Sequence, residues 1–351
     1  TIYTNKDTNY IGETSQEKGN FSSFAVLKDD GSVVTWGDSQ YGGDSSAVSS
    51  DLISDVTTIY SSARAYAALK DDGSVITWGN SNSGGDSSTV SSDLSSGVVE
   101  IISSDDGYHF AALKSDGTVV SWPHFSSQTT GITNAVEIFY NGAAFAVLKS
   151  DGSVSTFGQG NYGGNSNSVS TELSSGVVDI YSTSQAFAAL KSDGSVITWG
   201  TAYGGGDSSS VSSELSSGVI GVYSTNYAFA ALKSDGSVVA WGGSGWGLDD
   251  TSSVTWEVSS GIENIFSTDY AFAALDSDGA NPPADGTACD DGDSSTTNDV
   301  YTNGVCQGTP VNYPPTVSGV MLHDYCAGYP CPMYIPVIYS DDNVYCIYEA
   351  S

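Results

Sequence analysis

Six lysines stand at one place in an internal repeat: Lys28, Lys70, Lys114, Lys149, Lys191 and Lys233, with Asp276 there in a seventh copy. A ring of ammonium groups could gather an acidic ligand. Identical repetition points instead to a local structural task, in which each stem covers apolar strand and each head pairs with a nearby carboxylate. His109, His124 and His323 are scattered without metal-ligand spacing. His109 and His124 share the divergent third copy, so they can lie near each other on an interaction surface. Serine is too abundant for a nucleophile to stand out, and the chain has neither a Gly-x-Ser-x-Gly elbow nor a Gly-x-x-x-x-Gly-Lys-Ser/Thr phosphate loop. No catalytic residue is expected, and an enzyme is the least expected function. Carboxylates recur after paired glycines at Asp44, Asp86 and Asp207, with Asn165 in the fourth copy and Asp249 a looser match. Calcium could bridge them to loop carbonyls; solvated turns are the simpler reading, and no other cofactor is expected. Trp246 and Trp256 stand outside the repeat pattern near Gly243-Ser-Gly-Trp-Gly247, where a surface aromatic could stack on a sugar or a protein partner. Asn20-Phe21-Ser22 is the one N-glycosylation sequon, in a polar stretch ahead of the first hairpin.

The whole-chain numbers narrow the function classes. A formal net charge of -32 argues against nucleic-acid and anionic-membrane partners, which need a positive surface. Acidic loops of this kind keep a β-rich surface soluble. No apolar run is long enough for a membrane-spanning helix. The chain begins at Thr1 without Met or an apolar leader, as expected of a processed product or a fragment. All five cysteines (Cys289, Cys306, Cys326, Cys331 and Cys346) fall in the last quarter, which suits an oxidising, extracellular or cell-surface location. Five is odd, so one thiol is free, pairs between chains, or lacks its partner.

The elements that position these residues follow from the repeat. Turn glycines recur at Gly31, Gly73, Gly117, Gly152, Gly194, Gly236 and Gly279, at intervals of 42, 44, 35, 42, 42 and 43 residues. Each unit reads as three strands: one such as Val177 to Thr183, then a hairpin turning at an Asp-Gly pair. A two-residue turn at Asp193-Gly194 sets Leu190 opposite Ile197, Ala188 opposite Trp199 and Lys191 opposite Val196. Trp36, Trp78, Trp122, Trp199 and Trp241, with Phe157 in the fourth unit, are expected in the core. A lone three-stranded sheet buries too little to stand. Radial stacking of seven such blades into a propeller buries both faces of each. The seventh unit runs into Asn281-Pro282-Pro283 before its Trp-bearing strand, so Thr1 to Thr4 is expected to supply that strand and staple the ring.

The Ala189-Leu190-Lys191, Asp193-Gly194 and Trp199-Gly200 core resembles the repeat of the regulator of chromosome condensation family. The short units are most similar to its three-stranded-blade secreted branch. The resemblance covers about residues 1–280. It implies the all-β propeller fold and leaves function open among exchange factors, ligase partners, light signalling and inhibitors. None of that family's functional residues can be matched here, and the basic segments of its chromatin-binding members are absent.

Residues 281–310 read as a cysteine-bridged linker module. Cys289 to Cys306 resembles small disulfide modules of extracellular proteins, with Ser294 or Ser295, and Tyr301, in place of two further cysteines. That resemblance implies a Cys289–Cys306 bridge, which the Asn303-Gly304 turn allows. Residues 311–351 form a β-rich tail. Thr316 to Leu322 and Met333 to Tyr339 look like the opening strands of an incomplete immunoglobulin-like domain. The expected function is a non-enzymatic extracellular structural subunit of a fibre or coat, contacting other copies through the tail. The alternatives are a monomeric secreted module that binds proteins or glycans on one propeller face, and an intracellular exchange-factor-like propeller.

Overall fold

A computed structural model describes residues 20, 22–104, 107–243, 261–269, 271–276, 300–302, 305–307, 337–338 and 344–345. Alternation of apolar residues, Val-rich first strands and glycine-punctuated turns produce an all-β chain of small antiparallel sheets. The first hairpin is β1 (Ser23–Leu27) and β2 (Val33–Gly37). Five three-stranded sheets follow. They are β3 (Val56–Ser61), β4 (Ala65–Lys70) and β5 (Val75–Gly79); β6 (Val98–Ser103), β7 (Phe110–Lys114) and β8 (Val119–Trp122). Next come β9 (Ala135–Tyr140), β10 (Ala144–Lys149) and β11 (Val154–Gly158); β12 (Val177–Ser182), β13 (Ala186–Lys191) and β14 (Val196–Gly200). The last of these is β15 (Val219–Ser224), β16 (Ala228–Lys233) and β17 (Val238–Gly242), after which β18 (Ile262–Ser267) pairs with β19 (Phe272–Asp276). In each three-stranded sheet the second strand is central. The first strands β3, β6, β9, β12, β15 and β18 each contact the next, so they form a common inner row, as in a β-propeller.

The hairpin register differs by one residue from the sequence expectation. Phe187 pairs with Trp199, Ala188 with Thr198 and Leu190 with Val196. The cause is the turn. Lys191 N–H donates to Ser195 O at 2.9 Å and Gly194 N–H to Lys191 O at 2.9 Å, with Gly194 at φ +78°. Ser192-Asp193-Gly194 is therefore a three-residue loop whose glycine sits in the left-handed region, not a two-residue turn. The corrected register stacks Phe187 on Trp199, ring centroids 5.3 Å apart.

Packing between units has one recurring design. Ala144, Ala146 and Leu148 of β10 meet Phe187, Trp199, Leu173, Val177 and Ile180 of the next unit. Small alanines on the central strand let the aromatic pair approach closely. The indole locks the approach: Trp199 Nε1 donates to Gly163 O of the preceding unit at 3.0 Å. Trp78, Trp122 and Trp241 do the same to Gly42, Gly84 and Gly205, each at 3.0 Å. Gly163 (φ +97°) must be glycine, because a Cβ there would meet the Phe187 ring at 2.7 Å. Phe157 replaces Trp in the fourth unit, and the reason lies upstream. The short third unit has no glycine loop to supply a carbonyl, so a phenyl ring without a donor stacks on Phe145 at 4.8 Å.

Thr1 to Thr4 lie outside the described residues. Beside β19, where they were expected, stands β22 (Val337–Ile338), parallel, with Ala274 opposite Val337; β23 (Val344–Tyr345) pairs with β22. A stretch of the run expected to meet an adjacent copy thus pairs with its own chain. β20 (Val300–Thr302) and β21 (Val305–Gln307) form a hairpin in the cysteine segment.

Candidate functional site

The third unit departs from the repeat on one rim, and the departures fit together. In other units the glycine after Trp lies against the small residue that opens the central strand; a Cβ on Gly79 would meet Ala65 Cα at 2.8 Å. In the third unit Pro123 takes the glycine's place after a cis Trp122-Pro123 bond, and His109 takes the alanine's. The usual connection of 3-10 turns gives way to one short helix, α1 (Ser126–Thr129). The rings of His124 and Phe125 then close over His109, at centroid distances of 5.3 and 4.6 Å. His109 is 6% exposed, while His124 lies at the surface. Phe125 has φ +65°, which costs a non-glycine residue about 1–3 kcal/mol. Its ring packs on the Phe145–Phe157 cluster, which holds it there.

Two neighbouring units add a cation and two phenols. Arg64, the only arginine in the chain, lies between β3 and β4. Its Cζ sits 5.3 Å from the Tyr41 ring centroid and 6.0 Å from that of Tyr108, within cation–π reach. Among the described residues its Nε has no hydrogen-bond partner. Asn80 N–H donates to Arg64 O at 2.9 Å within the second unit, and Ala63 N–H donates to Gly107 O at 3.0 Å, which fixes the second unit against the third. Tyr41, Arg64 and Tyr108 form one cluster and His109, His124 and Phe125 a second, and the two adjoin on the rim where Tyr108 precedes His109 in the chain. Together they offer aromatic faces, a guanidinium fork and an imidazole, which is the chemistry of recognition.

The structure brings together His109 and His124 as the sequence suggested, and adds Arg64, Tyr41, Tyr108 and Phe125, which it did not. Arg64 carried a signal, as the one arginine in so acidic a chain. Trp246, Trp256, Asp249 and Cys289 lie outside the described residues, and for Cys306 only the strand is described.

The other candidates have structural tasks. Lys70, Lys114, Lys191 and Lys233 donate from Nζ to the backbone carbonyls of Asp51, Asp93, Glu172 and Glu214, at 2.7–3.1 Å. The expected carboxylate partner is corrected to a main-chain oxygen, because the 3-10 turns present unused carbonyls there. Asp44, Asp86 and Asp207 accept the N–H of Ser46, Ser88 and Ser209 at 2.9 Å, and Asn165 that of Asn167 at 3.0 Å. These bonds hold the three aspartates below the ordinary carboxylate range. Among the described residues no group of three or more His, Cys, Asp or Glu side chains could hold an ion, and the bonds to the N–H groups make these positions turn caps. The Asn20 amide donates to Tyr41 O, as buried Asn141 does to Tyr162 O. A glycan on Asn20 would leave Nδ2 a single N–H for that bond.

A row of carboxylates on the inner strands went unread in the sequence. Glu100, Glu137 and Asp179 occupy one repeat position on β6, β9 and β12. Burial pushes Glu100 above the ordinary range. Burial, then the charges of Asp179 and Glu100, do the same to Glu137. Burial, with the charge of and a hydrogen bond to Asp179, raises the Tyr181 phenol strongly.

No family model matches the chain, and no curated protein matches it. Solved structures that it resembles include propellers of the RCC1 type. Human WBSCR16 is 17% identical, with 64% of this chain and 74% of that one covered and a TM-score of 0.36. Prp20p from Saccharomyces cerevisiae, described with its binding to Gsp1p and histones, is 14% identical over 64% and 70%, with a TM-score of 0.35. The ectodomain of the Physcomitrella patens receptor kinase CR4 is 13% identical over 95% and 86%, with a TM-score of 0.37. At these identities and scores the likenesses carry no argument about what this chain does, and the all-β repeat stands on its own residues.

Proposed function

We propose that the chain is a non-enzymatic extracellular binding module, a repeat scaffold that presents one differentiated rim to a protein or glycan. The observation that carries this reading is the clustering of repeat-breaking residues: Arg64, His109, His124 and Phe125 come from two neighbouring units and lie on one rim, with Tyr41 and Tyr108 flanking Arg64. Structural repetition alone gives no reason for departures in two units to converge. We further propose that seven blades close into a ring. Phe24 and Trp36 make the same stack as the buried pairs, at 5.4 Å, yet are 55% and 47% exposed among the described residues. Their counterparts Phe187 and Trp199 are 0% and 2% exposed, each covered by the unit before. A seventh unit, in which β22 stands beside β19, would cover the first in the same way.

The test is a mixed array of immobilised glycans and extracellular proteins, probed with the native chain and a Tyr41→Ala, Arg64→Ala, Tyr108→Ala variant. The expected result is at least one ligand held by the native chain and lost by the variant at an unchanged melting temperature. Identical binding patterns would remove the rim from consideration. A second reading, an assembly subunit of a fibre or coat, is favoured by the same exposed Phe24–Trp36 face, which a neighbouring copy could cover instead. Concentration-dependent growth of the particle would select it.

A further inference from the structure

We propose that the rim site takes an acidic saccharide, a pyranose bearing a carboxylate, with the carboxylate on Arg64. This assignment rests on the binding-module reading and names the ligand class of that site. Arg64 is the only arginine among 41 acidic residues and 9 basic ones, and it is partly buried between two phenol rings. Its Nε has no partner among the described residues. A guanidinium within cation–π reach of two rings offers a fork that suits the planar, bidentate carboxylate. Tyr108 is 39% exposed and His124 lies at the surface, beside the partly buried Phe125 ring. Amphipathic rings of this kind offer an apolar face to the C–H side of a sugar and polar tips to its hydroxyls.

A peptide fits this patch less well. Extended peptides gain affinity by adding to an open strand edge. Here several of the described main-chain groups of the rim are already paired: Ser104 N–H to His109 O at 2.9 Å, Gly107 N–H to Ser104 O at 2.8 Å, Ala63 N–H to Gly107 O at 3.0 Å and Asn80 N–H to Arg64 O at 2.9 Å. Recognition is left to side chains, and those present are rings, a fork and an imidazole.

The probe is a galacturonic acid oligomer, with its fully methyl-esterified form as the uncharged control, titrated calorimetrically into the full chain. Esterification of the carboxylates should weaken binding at least tenfold, and so should Arg64→Gln. Arg64→Lys, which keeps the charge and loses the fork, should fall between the two. Tyr108→Ala should weaken both acid and ester forms. Melting curves matching the native chain establish that the variants are folded. Equal affinity for acid and ester, or native affinity in Arg64→Gln, overturns the assignment. If the native chain ignores both oligomers while the array still shows a ligand lost with the rim variant, the ligand class is wrong and the binding-module reading stands. If no array ligand depends on the rim, both fall.

Discussion

The Trp-to-carbonyl clasp predicts that Phe157→Trp destabilises the chain although every other complete unit carries Trp there. Phe157 is 0% exposed and stacks on Phe145 at the junction with the third unit. The indole N–H finds its acceptor elsewhere on a glycine carbonyl of the preceding connection, at 3.0 Å from Trp199 to Gly163. The third unit has Phe125 and α1 in that place and offers no such loop. An indole at 157 would bury an unpaired donor, costing about 1–3 kcal/mol. Overfilling a close-packed junction adds about 1–3 kcal/mol. The sum of roughly 2–6 kcal/mol corresponds to a fall of about 5–20 °C in melting temperature for a domain of this size. The converse substitution, Trp199→Phe, leaves Gly163 O without its donor and should cost about 1–3 kcal/mol. Thermal and urea unfolding followed by far-ultraviolet circular dichroism measure both. A Phe157→Trp variant as stable as the native chain would refute the clasp as the reason for phenylalanine.

The carboxylates give predictions of opposite sign. Ser195 hydroxyl and N–H hold Asp193 below the ordinary range, and the same Asp-x-Ser or Asp-x-Thr contact recurs at Asp30, Asp72, Asp116, Asp151 and Asp235. Their contribution is present above the unfolded carboxylate pKa and is lost as pH falls through the lowered folded values, so Asp193→Asn should cost stability at pH 7 and nothing in strong acid. Glu137 is raised, so the folded state binds the extra proton and stability falls as pH rises from the unfolded value through the folded one. Glu137→Gln should therefore stabilise at pH 7 and not at pH 3; a loss at pH 7 in urea melts would contradict the inner-strand repulsion. Lys191→Met keeps the stem and loses the bond to Glu172 O, so its unfolding midpoint should move by less than about 1 kcal/mol equivalent, whereas a larger loss would give the lysine ring a greater role than a surface clasp.

How far the fold could be read from sequence depended on whether the signal lay within a unit. Repeat period, strand content and aromatic core were visible because each unit restates them. The hairpin register slipped by one because Asp193-Gly194 looks like a complete two-residue turn, while Ser192 belongs to the loop as well. With that slip went the Phe187–Trp199 stack. Phe157 is legible in the sequence as a core aromatic, but the reason for phenylalanine lies in the missing carbonyl upstream. The rim was half legible: His109 and His124 share one divergent unit, but Tyr41 and Arg64 reach it from the first and second units across turns whose geometry the sequence does not print. The inner carboxylates Glu100, Glu137 and Asp179 lie one per unit, so their mutual repulsion emerges only when first strands pack side by side.

The proposed closed ring of repeats that binds through its rim is tested most directly by size-exclusion chromatography with light scattering over a hundredfold concentration range. The predicted result is the mass of one chain at every concentration, with the Trp36 face covered from within. Mass rising in multiples of the chain with concentration would contradict the closed module and place the Phe24–Trp36 face between copies.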